Sequence, residues 1–277
     1  MPFFEQITII GPGALGGSLA WRCRELKVAK QVVVYGRNPS VLAEAMSLGV
    51  ADAVSNNLGE AVQGADLVVL CTPVGVMPEL VEGVRPQLRS GAIVTDVGSV
   101  RLALTQAMDA LAEDESWFFV GSHPMAGTEQ EGLSAARADL FEDSLCILTP
   151  SSKTNKDLLQ VVGDFWRTVG CRLREMSPEE HDAAVCCVSH LPHALASALV
   201  SLVVRDHPDT LALAGRGWRD STRVASGPGP MWAEILIENR ESLRALLEGL
   251  RAELLEFSRM LEPEFEQKLI AYLEQAR

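Results

Sequence analysis

The sequence predicts an α/β fold: a Rossmann-type doubly wound parallel sheet followed by an all-helical dimerisation domain. Three observations lead to this prediction. Short β-branched runs alternate with helical segments over the first half of the chain, a glycine-rich loop follows the first run, and helical periodicity without strands continues from Ser177 to the C-terminus. Strand–helix alternation of this kind is typical of a mostly parallel sheet covered by helices on both faces.

The first half of the chain contains two kinds of segment. Runs rich in β-branched and other apolar residues predict strands. They span Ile7–Ile10, Val32–Tyr35, Leu67–Cys71, Ala92–Asp96, Trp117–Gly121, Leu145–Leu148 and Cys171–Glu175. Segments with helical spacing lie between and after them, at Ala14–Lys27, Pro39–Leu48, Val76–Leu88, Arg101–Ala112 and Asn155–Val169.

The character of the sequence changes at Ser177. Ser177-Pro178-Glu179-Glu180 predicts a helix N-cap, a first-turn proline and acidic first-turn residues. A chain of 277 residues is also long enough for two cores. We therefore predict a dinucleotide-binding domain over residues 1–177 and a helical substrate and dimerisation domain over residues 178–277, interrupted at Gly215–Pro230.

Apolar stripes run along the helical half, for example through Leu243, Leu250 and Leu254. Such stripes need a partner surface, and in a protein of this size that surface is often a second copy of the chain. The sequence therefore predicts a homodimer.

The composition limits the other partners. The net charge is −13, with 24 basic against 37 acidic residues, which argues against nucleic acid or an anionic membrane. A strand begins at Ile7, too early for a signal peptide, and the longest apolar stretches fall short of the ~20 residues of a membrane span. The six cysteines form no C-x-x-C pair, so we expect buried reduced thiols and a cytoplasmic protein.

A glycine-rich loop joins the first predicted strand to the first helix. Gly11, Gly13 and Gly16 have the spacing that gives a tight turn, close approach of a pyrophosphate and close helix–strand packing, and Ala14 and Leu15 begin the helix whose N–H groups face the phosphates. The alternative is a glycine-rich structural turn. The position within a βαβ pattern favours a dinucleotide site.

The end of the second predicted strand indicates which dinucleotide binds. An NAD site usually carries Asp or Glu there, whereas this chain has Gly36-Arg37-Asn38. Arg37 suits a 2′-phosphate, although it could also be a solvated surface arginine. We expect NADP, with NAD as the alternative, and we place Asn38, Thr72 and Pro73 at the same site.

Further segments carry candidate catalytic groups. They are Asp96-Val97-Gly98-Ser99-Val100, Gly121-Ser122-His123-Pro124-Met125-Ala126-Gly127-Thr128-Glu129, Ser189-His190-Leu191-Pro192-His193, Arg219-Asp220-Ser221-Thr222-Arg223 and Met231-Trp232.

The histidines also have ordinary explanations. His123 precedes a proline and could be a turn histidine, and His190 is equally compatible with a structural role. His190 and His193 share a helical face, but no third ligand has a suitable spacing, so we expect no metal site. His181 and His207 are expected at the surface.

Taken together, the glycine loop and these segments resemble the prephenate/arogenate dehydrogenase family, in that family's order, from Ile7 to about Ile235. The resemblance implies a Rossmann domain followed by a helical dimerisation domain. It implies oxidative decarboxylation of prephenate and/or arogenate, with hydride transfer to NAD(P)⁺, in tyrosine biosynthesis.

The resemblance also implies roles for single residues. His123 would bond the ring hydroxyl and take its proton, Ser99 would bond the same hydroxyl or orient His123, and Thr128 would support the loop. Arg223 would clamp a substrate carboxylate, with His193 on the opposite wall.

Two side chains bear on the rest of the substrate. Glu129 (or Glu131) would favour the ammonium group of arogenate over the keto group of prephenate if it lies near that side chain, and the choice stays open. Trp232 would line the site.

Two rival readings remain. A β-hydroxyacid dehydrogenase or imine reductase would share the architecture but would show a catalytic Lys or Asp where this chain has Ser189 and His190. A non-enzymatic dinucleotide sensor would keep the glycine loop but not the chemistry, and the joint presence of Ser99, His123, His193 and Arg223 speaks against it.

Overall fold

The computed structural model describes residues 3–112, 116–127 and 130–277. The chain forms two compact units: residues up to Asp182 together with Gly227–Ile235, and Ala183–Ser226 together with Leu236–Arg277. The predicted domain boundary between residues 177 and 178 stays a prediction, since these units are not contiguous in sequence.

The first unit is built on a six-stranded parallel sheet. Its strands are β1 (Phe4–Ile10), β2 (Ala29–Tyr35), β3 (Ala53–Ser55), β4 (Leu67–Leu70), β5 (Ala92–Asp96) and β6 (Trp117–Phe119), in the order β3-β2-β1-β4-β5-β6. The strand order reverses between β1 and β4. Ligands of doubly wound sheets bind at the carboxyl ends of the strands beside such a reversal.

A second, smaller sheet holds β7 (Gly121–Pro124), β8 (Leu145–Thr149) and β9 (Arg172–Glu175). β7 is antiparallel to β8, and β8 is parallel to β9. The prediction of one continuous strand over Trp117–Gly121 is therefore wrong. The chain leaves the main sheet at Val120, and β7 pairs with β8 instead.

Helices connect the strands and make up most of the rest of the chain. They are α1 (Ala14–Glu25), α2 (Pro39–Ser47), α3 (Leu58–Val62), α4 (Met77–Val84), α5 (Leu102–Leu111), α6 (Lys156–Val169), α7 (Pro178–Val185), α8 (Leu191–Asp206), α9 (Arg216–Thr222), α10 (Gly229–Glu238), α11 (Arg240–Arg259) and α12 (Glu266–Ala276).

Side-chain caps fix two of the predicted helix starts. The Asn155 side chain accepts hydrogen bonds from the backbone N–H groups of Asp157 and Leu158 at the start of α6, at 2.9 and 3.2 Å. Ser177 and Glu180 exchange hydrogen bonds at the start of α7, which is a capping box. Each cap satisfies backbone donors that the first helical turn leaves without a partner.

Apolar cores lie on both faces of the main sheet, as the doubly wound prediction requires. One core contains Leu19 and Cys23 of α1 with Phe165 and Trp166 of α6. The other contains side chains of α4 and α5, including Met77 and Met108. Complete burial of one such side chain contributes about 1.5–3 kcal/mol, so these two layers hold the sheet in place.

The predicted Gly/Pro-rich interruption at Gly215–Pro230 is largely helical. Gly215 has extended backbone angles and precedes α9, while Pro230 lies in the first turn of α10, where a missing N–H is tolerated. Glycine and proline therefore mark helix starts here rather than a loop.

A long helical segment, Pro178–Asp206, joins α7 to α8 through a π-helical turn at Cys186–His190. It has 29 residues and a mean hydropathy of 1.6, and only 17% of its apolar window is buried. By length and composition alone it could cross a membrane, so the expectation that no segment reaches that length is wrong. One such helix is weak evidence for a membrane protein, because core helices of soluble proteins pass the same test.

Candidate active site

The glycine loop between β1 and α1 has the geometry that a dinucleotide needs. Gly11 has a φ of +103°, and a Cβ there would lie 2.6 Å from the carbonyl oxygen of Cys71. A Cβ on Gly16 would lie 2.0 Å from the carbonyl oxygen of Gly11. Gly13, by contrast, has no described atom within 4 Å of its Cβ direction. The outer glycines allow tight packing, and Gly13 leaves room for a ligand to approach the backbone.

This loop borders a cleft of about 740 Å³, which is lined by residues 11–13, 35–39, 41 and 71–73. The loop, Arg37, Asn38, Thr72 and Pro73, all predicted to bind cofactor, therefore lie together. Among the described residues, the buried hydroxyl oxygen of Thr72 has no hydrogen-bond partner. A buried polar atom of this kind costs free energy unless a ligand completes it, so the cleft fits a dinucleotide.

The two polar side chains that follow β2 differ in their surroundings. The side-chain oxygen of Asn38 accepts hydrogen bonds from the backbone N–H and hydroxyl of Ser40, at 3.0 and 2.7 Å, and so caps α2. Arg37 is exposed in the same turn. None of the described residues that line the cleft carries a carboxylate.

A fully buried ion pair lies where β5 ends. Nη2 of Arg101 donates to Oδ1 of Asp96 at 2.8 Å, and Nη1 donates to the other carboxylate oxygen. The backbone N–H of Gly98 also donates to Asp96, at 2.8 Å. Because these donors hold the Asp96 carboxylate, they fix the loop that contains Ser99, which is partly buried.

Ser122 attaches β7 to the main sheet. Its hydroxyl donates to the backbone oxygen of Asp96 at 2.6 Å and accepts from the indole N–H of Trp166 at 3.0 Å. Its backbone N–H donates to the Asp96 carboxylate at 3.3 Å. The next residue along β7 is His123, so the position of the predicted base is set by buried hydrogen bonds.

His123 is buried, with 8% of its surface exposed, and its ring contacts a second histidine. Nδ1 of His123 lies 2.8 Å from Nε2 of His181. Nδ1 of His181 lies 2.9 Å from Oδ1 of Asp182. The three side chains form a chain of hydrogen bonds within the first unit.

The expectation that His181 lies at the surface is wrong, because none of its surface is exposed. Burial lowers the pKa of His181 and outweighs its hydrogen bond to the Asp182 carboxylate, which acts in the opposite direction. The imidazole is therefore held in its neutral form. In the sequence, only the adjacent Asp182 indicated that His181 could be a buried, hydrogen-bonded histidine. A His-Asp pair near the start of a helix is not a distinctive pattern.

In the second unit, His193 and Arg223 lie on neighbouring elements. His193 of α8 is buried, and burial lowers its pKa while a hydrogen bond with the backbone of Val224 raises it. Arg223 precedes Val224 and is exposed. His190, one of the residues whose role was open, is buried and its Nδ1 lies 3.3 Å from the side-chain nitrogen of Asn239. That contact favours a structural role for His190.

The remaining candidates are distributed as follows. Trp232 lies on α10 and belongs to the first unit, and the surface residue His207 is exposed as expected. Thr128 and Glu129 lie outside the described residues, and Glu131 is exposed. Within residues 3–112, 116–127 and 130–277, no group of three or more His, Cys, Asp or Glu side chains is arranged to hold a metal ion.

Several thiols are buried, in agreement with the sequence prediction. Burial raises the pKa of Cys23 to about 12, and it also raises the pKa values of Cys71, Cys146 and Cys171. These thiols stay protonated near neutral pH, which makes them poor nucleophiles.

The comparisons with known proteins agree with this geometry. Residues 19–175 match the family model described as prephenate dehydrogenase, nucleotide-binding domain, and residues 177–275 match its dimerization domain. The chain is 33% identical to the cyclohexadienyl dehydrogenase of Zymomonas mobilis over 258 residues, which cover 92% of this chain and 87% of the relative.

Solved structures give the same result. Prephenate dehydrogenase from Aquifex aeolicus, in complex with hydroxyphenyl propionate and NAD⁺, superimposes with a TM-score of 0.90 at 33% identity, covering 98% of this chain and 96% of the other. Arogenate dehydrogenase from Synechocystis superimposes with a TM-score of 0.82 at 28% identity and the same coverage.

The parallel sheet, its glycine loop and the buried Thr72 hydroxyl, which bonds none of the described residues, are those of a dehydrogenase that uses a nicotinamide dinucleotide. The chain belongs to the prephenate dehydrogenase family, whose two domains it matches in order. It is thus a dehydrogenase of tyrosine biosynthesis and forms a homodimer through its helical half. The rival readings as another Rossmann oxidoreductase or a non-enzymatic sensor are not favoured.

Proposed function

We propose that this protein oxidatively decarboxylates prephenate or arogenate with NADP⁺ as the preferred acceptor, His123 as the base, and the cytoplasm as its location. The observation that carries the proposal is the buried His123 on β7, in the same unit as the dinucleotide cleft. A neutral imidazole is a suitable proton acceptor near neutral pH.

The preference for NADP⁺ rests on charge at the end of β2. A carboxylate there would repel a 2′-phosphate, and the described lining of the cleft has none. Arg37 offers a planar guanidinium that can donate two hydrogen bonds to a phosphate. The Aquifex relative was solved with NAD⁺, so the choice of cofactor requires a direct test.

We assign the chain's residues the following roles. The backbone of residues 11–16 would hold the dinucleotide together with Arg37 and Thr72, and of these residues 11–13, Arg37 and Thr72 line the cleft. A bound nicotinamide dinucleotide would supply the acceptor for the hydride that leaves the substrate ring. His123 takes the proton of the ring hydroxyl, and Ser99 bonds the same oxygen.

Substrate binding is assigned to two side chains of the second unit. Arg223 clamps a carboxylate of the substrate, and His193 contributes from α8, where it bonds the backbone of Val224 rather than lying on an opposite wall as expected. Loss of the ring carboxylate as carbon dioxide makes the ring aromatic, so alignment and proton removal are the main tasks that remain for the protein.

The experiment that tests this proposal crosses two substrates with two cofactors. Purified enzyme is assayed spectrophotometrically with prephenate and arogenate, each with NAD⁺ and NADP⁺. We expect turnover of at least one substrate and a higher kcat/KM with NADP⁺ than with NAD⁺. Equal or better efficiency with NAD⁺ would refute the cofactor preference, and no turnover with either substrate would refute the reaction.

A further inference from the structure

We propose that His181 and Asp182 are positioning residues that hold His123 in one tautomer, with the proton on Nδ1 and the lone pair on Nε2. This inference rests on the proposed role of His123 as the base. It concerns two residues that neither the sequence motifs nor the family resemblance singled out.

Asp182 sets the direction of the hydrogen bonds. Its two carboxylate oxygens accept from the backbone N–H groups of Arg101 and Leu102, at 2.8 and 2.9 Å. These groups begin α5, where the helix dipole favours a negative charge. Both interactions stabilise the ionised carboxylate, which can only accept hydrogen bonds.

The acceptor role of Asp182 fixes which nitrogen of His181 donates and which accepts. Since Asp182 only accepts, Nδ1 of His181 must be the donor of their 2.9 Å hydrogen bond. A neutral imidazole carries one proton, so Nε2 of His181 is then an acceptor. Nε2 faces Nδ1 of His123 at 2.8 Å, and Nδ1 of His123 must therefore donate.

Nε2 of His181 can accept only if the imidazole is neutral, and the surroundings of the side chain favour that form. The side chain is completely buried, and burial and the Arg101 charge both lower its pKa. The carboxylates of Asp182 and Asp96 act in the opposite direction but do not outweigh burial.

The opposite direction of hydrogen bonding is unfavourable. If His181 donated Nε2–H to His123, its Nδ1 would face Asp182 as an acceptor, and Asp182 would have to be protonated. Protonation would weaken the two hydrogen bonds that the carboxylate accepts from the start of α5. The observed contacts thus select a single tautomer of His123.

This arrangement has a consequence for the reaction. The proton of the substrate hydroxyl moves to Nε2 of His123, and no other bond of the three side chains is made or broken. The cation that forms keeps its Nδ1–H bond to His181. The polarised His181 and the Asp182 carboxylate then stabilise the positive charge on the His123 ring.

Three variants test the proposal, each assayed for kcat against pH, substrate KM and thermal midpoint. Asp182→Asn keeps one acceptor oxygen, for the backbone N–H of Leu102, and places an NH2 group where Oδ1 accepts from Arg101 and His181. That group can donate to Nδ1 of His181, which reverses both hydrogen bonds and puts the His123 proton on Nε2, while the thermal midpoint measures the cost of the lost bond to Arg101. We expect kcat to fall about 10²–10⁴-fold, as general-base catalysis typically contributes this much. We expect KM to change less than threefold.

The second and third variants separate orientation from packing. His181→Gln places an amide oxygen where Nε2 was and should keep kcat within about tenfold of wild type. His181→Leu removes the acceptor and should lose at least tenfold more, with the acid limb of the pH profile moved to lower pH. A purely structural role would lower the thermal midpoint without moving that limb. His207→Gln, at an exposed histidine, is the matched control.

A spectroscopic measurement keeps the test independent of the variants' folding. The chain has only five histidines, so ¹⁵N spectra of the imidazoles can be assigned with His123→Asn and His207→Gln. The expected state of His123 in the wild type is Nδ1–H, and a dominant Nε2–H tautomer would overturn the proposal. So would unchanged kcat and acid limb in Asp182→Asn.

Turnover of His123→Asn and Asp182→Asn distinguishes the role of His123 as the base from the positioning role of His181 and Asp182. Near-wild-type turnover of His123→Asn would overturn the base and with it this role of His181. Loss of turnover in His123→Asn, together with unaffected Asp182→Asn, would overturn the positioning role alone.

Discussion

The Asp96 carboxylate and the Arg101 guanidinium form an ion pair in which neither side chain is exposed to solvent. Nε of Arg101 also donates to the hydroxyl of Thr149 on β8, at 3.1 Å. The guanidinium therefore links the end of β5 in the parallel sheet to the small sheet that carries His123. The fold and the candidate site depend on the same charged group.

Removal of one partner of this ion pair should strongly destabilise the protein. Arg101→Met leaves the Asp96 carboxylate buried without its counter-charge, and a loss of about 3–5 kcal/mol in the free energy of unfolding is typical of such changes. The check is urea unfolding at fixed chain concentration. Arg167→Ala, which breaks an exposed ion pair with Asp164, should cost less than about 1 kcal/mol. Similar losses in both variants would contradict the prediction.

Gly121 should tolerate no side chain. A Cβ there would lie 2.4 Å from Nη2 of Arg101 and 2.5 Å from the hydroxyl oxygen of Thr149. Gly121→Ala should therefore destabilise the protein by about 1–3 kcal/mol, the usual cost of overpacking. In Gly83→Ala the new methyl meets no described atom within 4 Å and lies in α4, so stability should rise by up to about 1 kcal/mol. Thermal midpoints of the two variants measure the contrast.

Arg37→Ala should weaken NADP⁺ selectively. The side chain is exposed, so we expect a loss of about 1.4 kcal/mol, or tenfold in kcat/KM with NADP⁺, and little change with NAD⁺. The measurement is the ratio of the two kcat/KM values. Arg137→Ala removes the same charge from an exposed position outside the cleft and should leave the ratio unchanged. An unchanged ratio in Arg37→Ala would place the 2′-phosphate elsewhere.

His123→Asn and Arg223→Ala should fail in different ways. Loss of the base should lower kcat by about 10²–10⁴-fold while substrate binding persists. Loss of a carboxylate clamp should raise KM more than it lowers kcat, the pattern of lost uniform binding. Steady-state kinetics with a saturating cofactor distinguish the two patterns. Unchanged KM in Arg223→Ala would show that Arg223 does not bind the substrate.

Stability should fall in mild acid because of His181. Its pKa in the folded protein is below the ordinary value of 6.5, so the unfolded chain binds more protons as the pH falls through 6.5. The contribution of His181 to stability is then fully present above pH 6.5 and is lost as the pH falls below it. His193 has a lowered pKa as well and acts in the same direction. Thermal midpoints from pH 7.5 to 5 should decline less steeply in His181→Gln than in His207→Gln.

The features that depend on local sequence could be predicted. The turn at Gly11, the open approach at Gly13 and the cap at Ser177 depend on the conformational and bonding preferences of single residues, and the structure has all three. Arg37 could be placed at the cleft because the end of a strand is readable from its β-branched residues.

The features that depend on distant partners could not be predicted. His181 is buried because it meets His123, 58 residues away in the sequence. The break at Val120 follows from the pairing of β7 with β8, which no pattern within Trp117–Gly121 reveals. The parallel sheet followed by a helical domain could be expected from the alternation of segments and the family resemblance, but the hydrogen bonds around Asp182 needed coordinates.

Because little of Pro178–Asp206 is buried within one chain, folding of this enzyme should be coupled to the association of two chains. A helix with 17% of its apolar window buried gains little stability within one chain, so much of its stabilisation must come from the second copy. Unfolding then separates two molecules as well as disordering each. Each tenfold dilution should lower the stability of the assembly by about 1.4 kcal/mol per dimer. The amount of enzyme in its folded form is thereby tied to how much of it has been made.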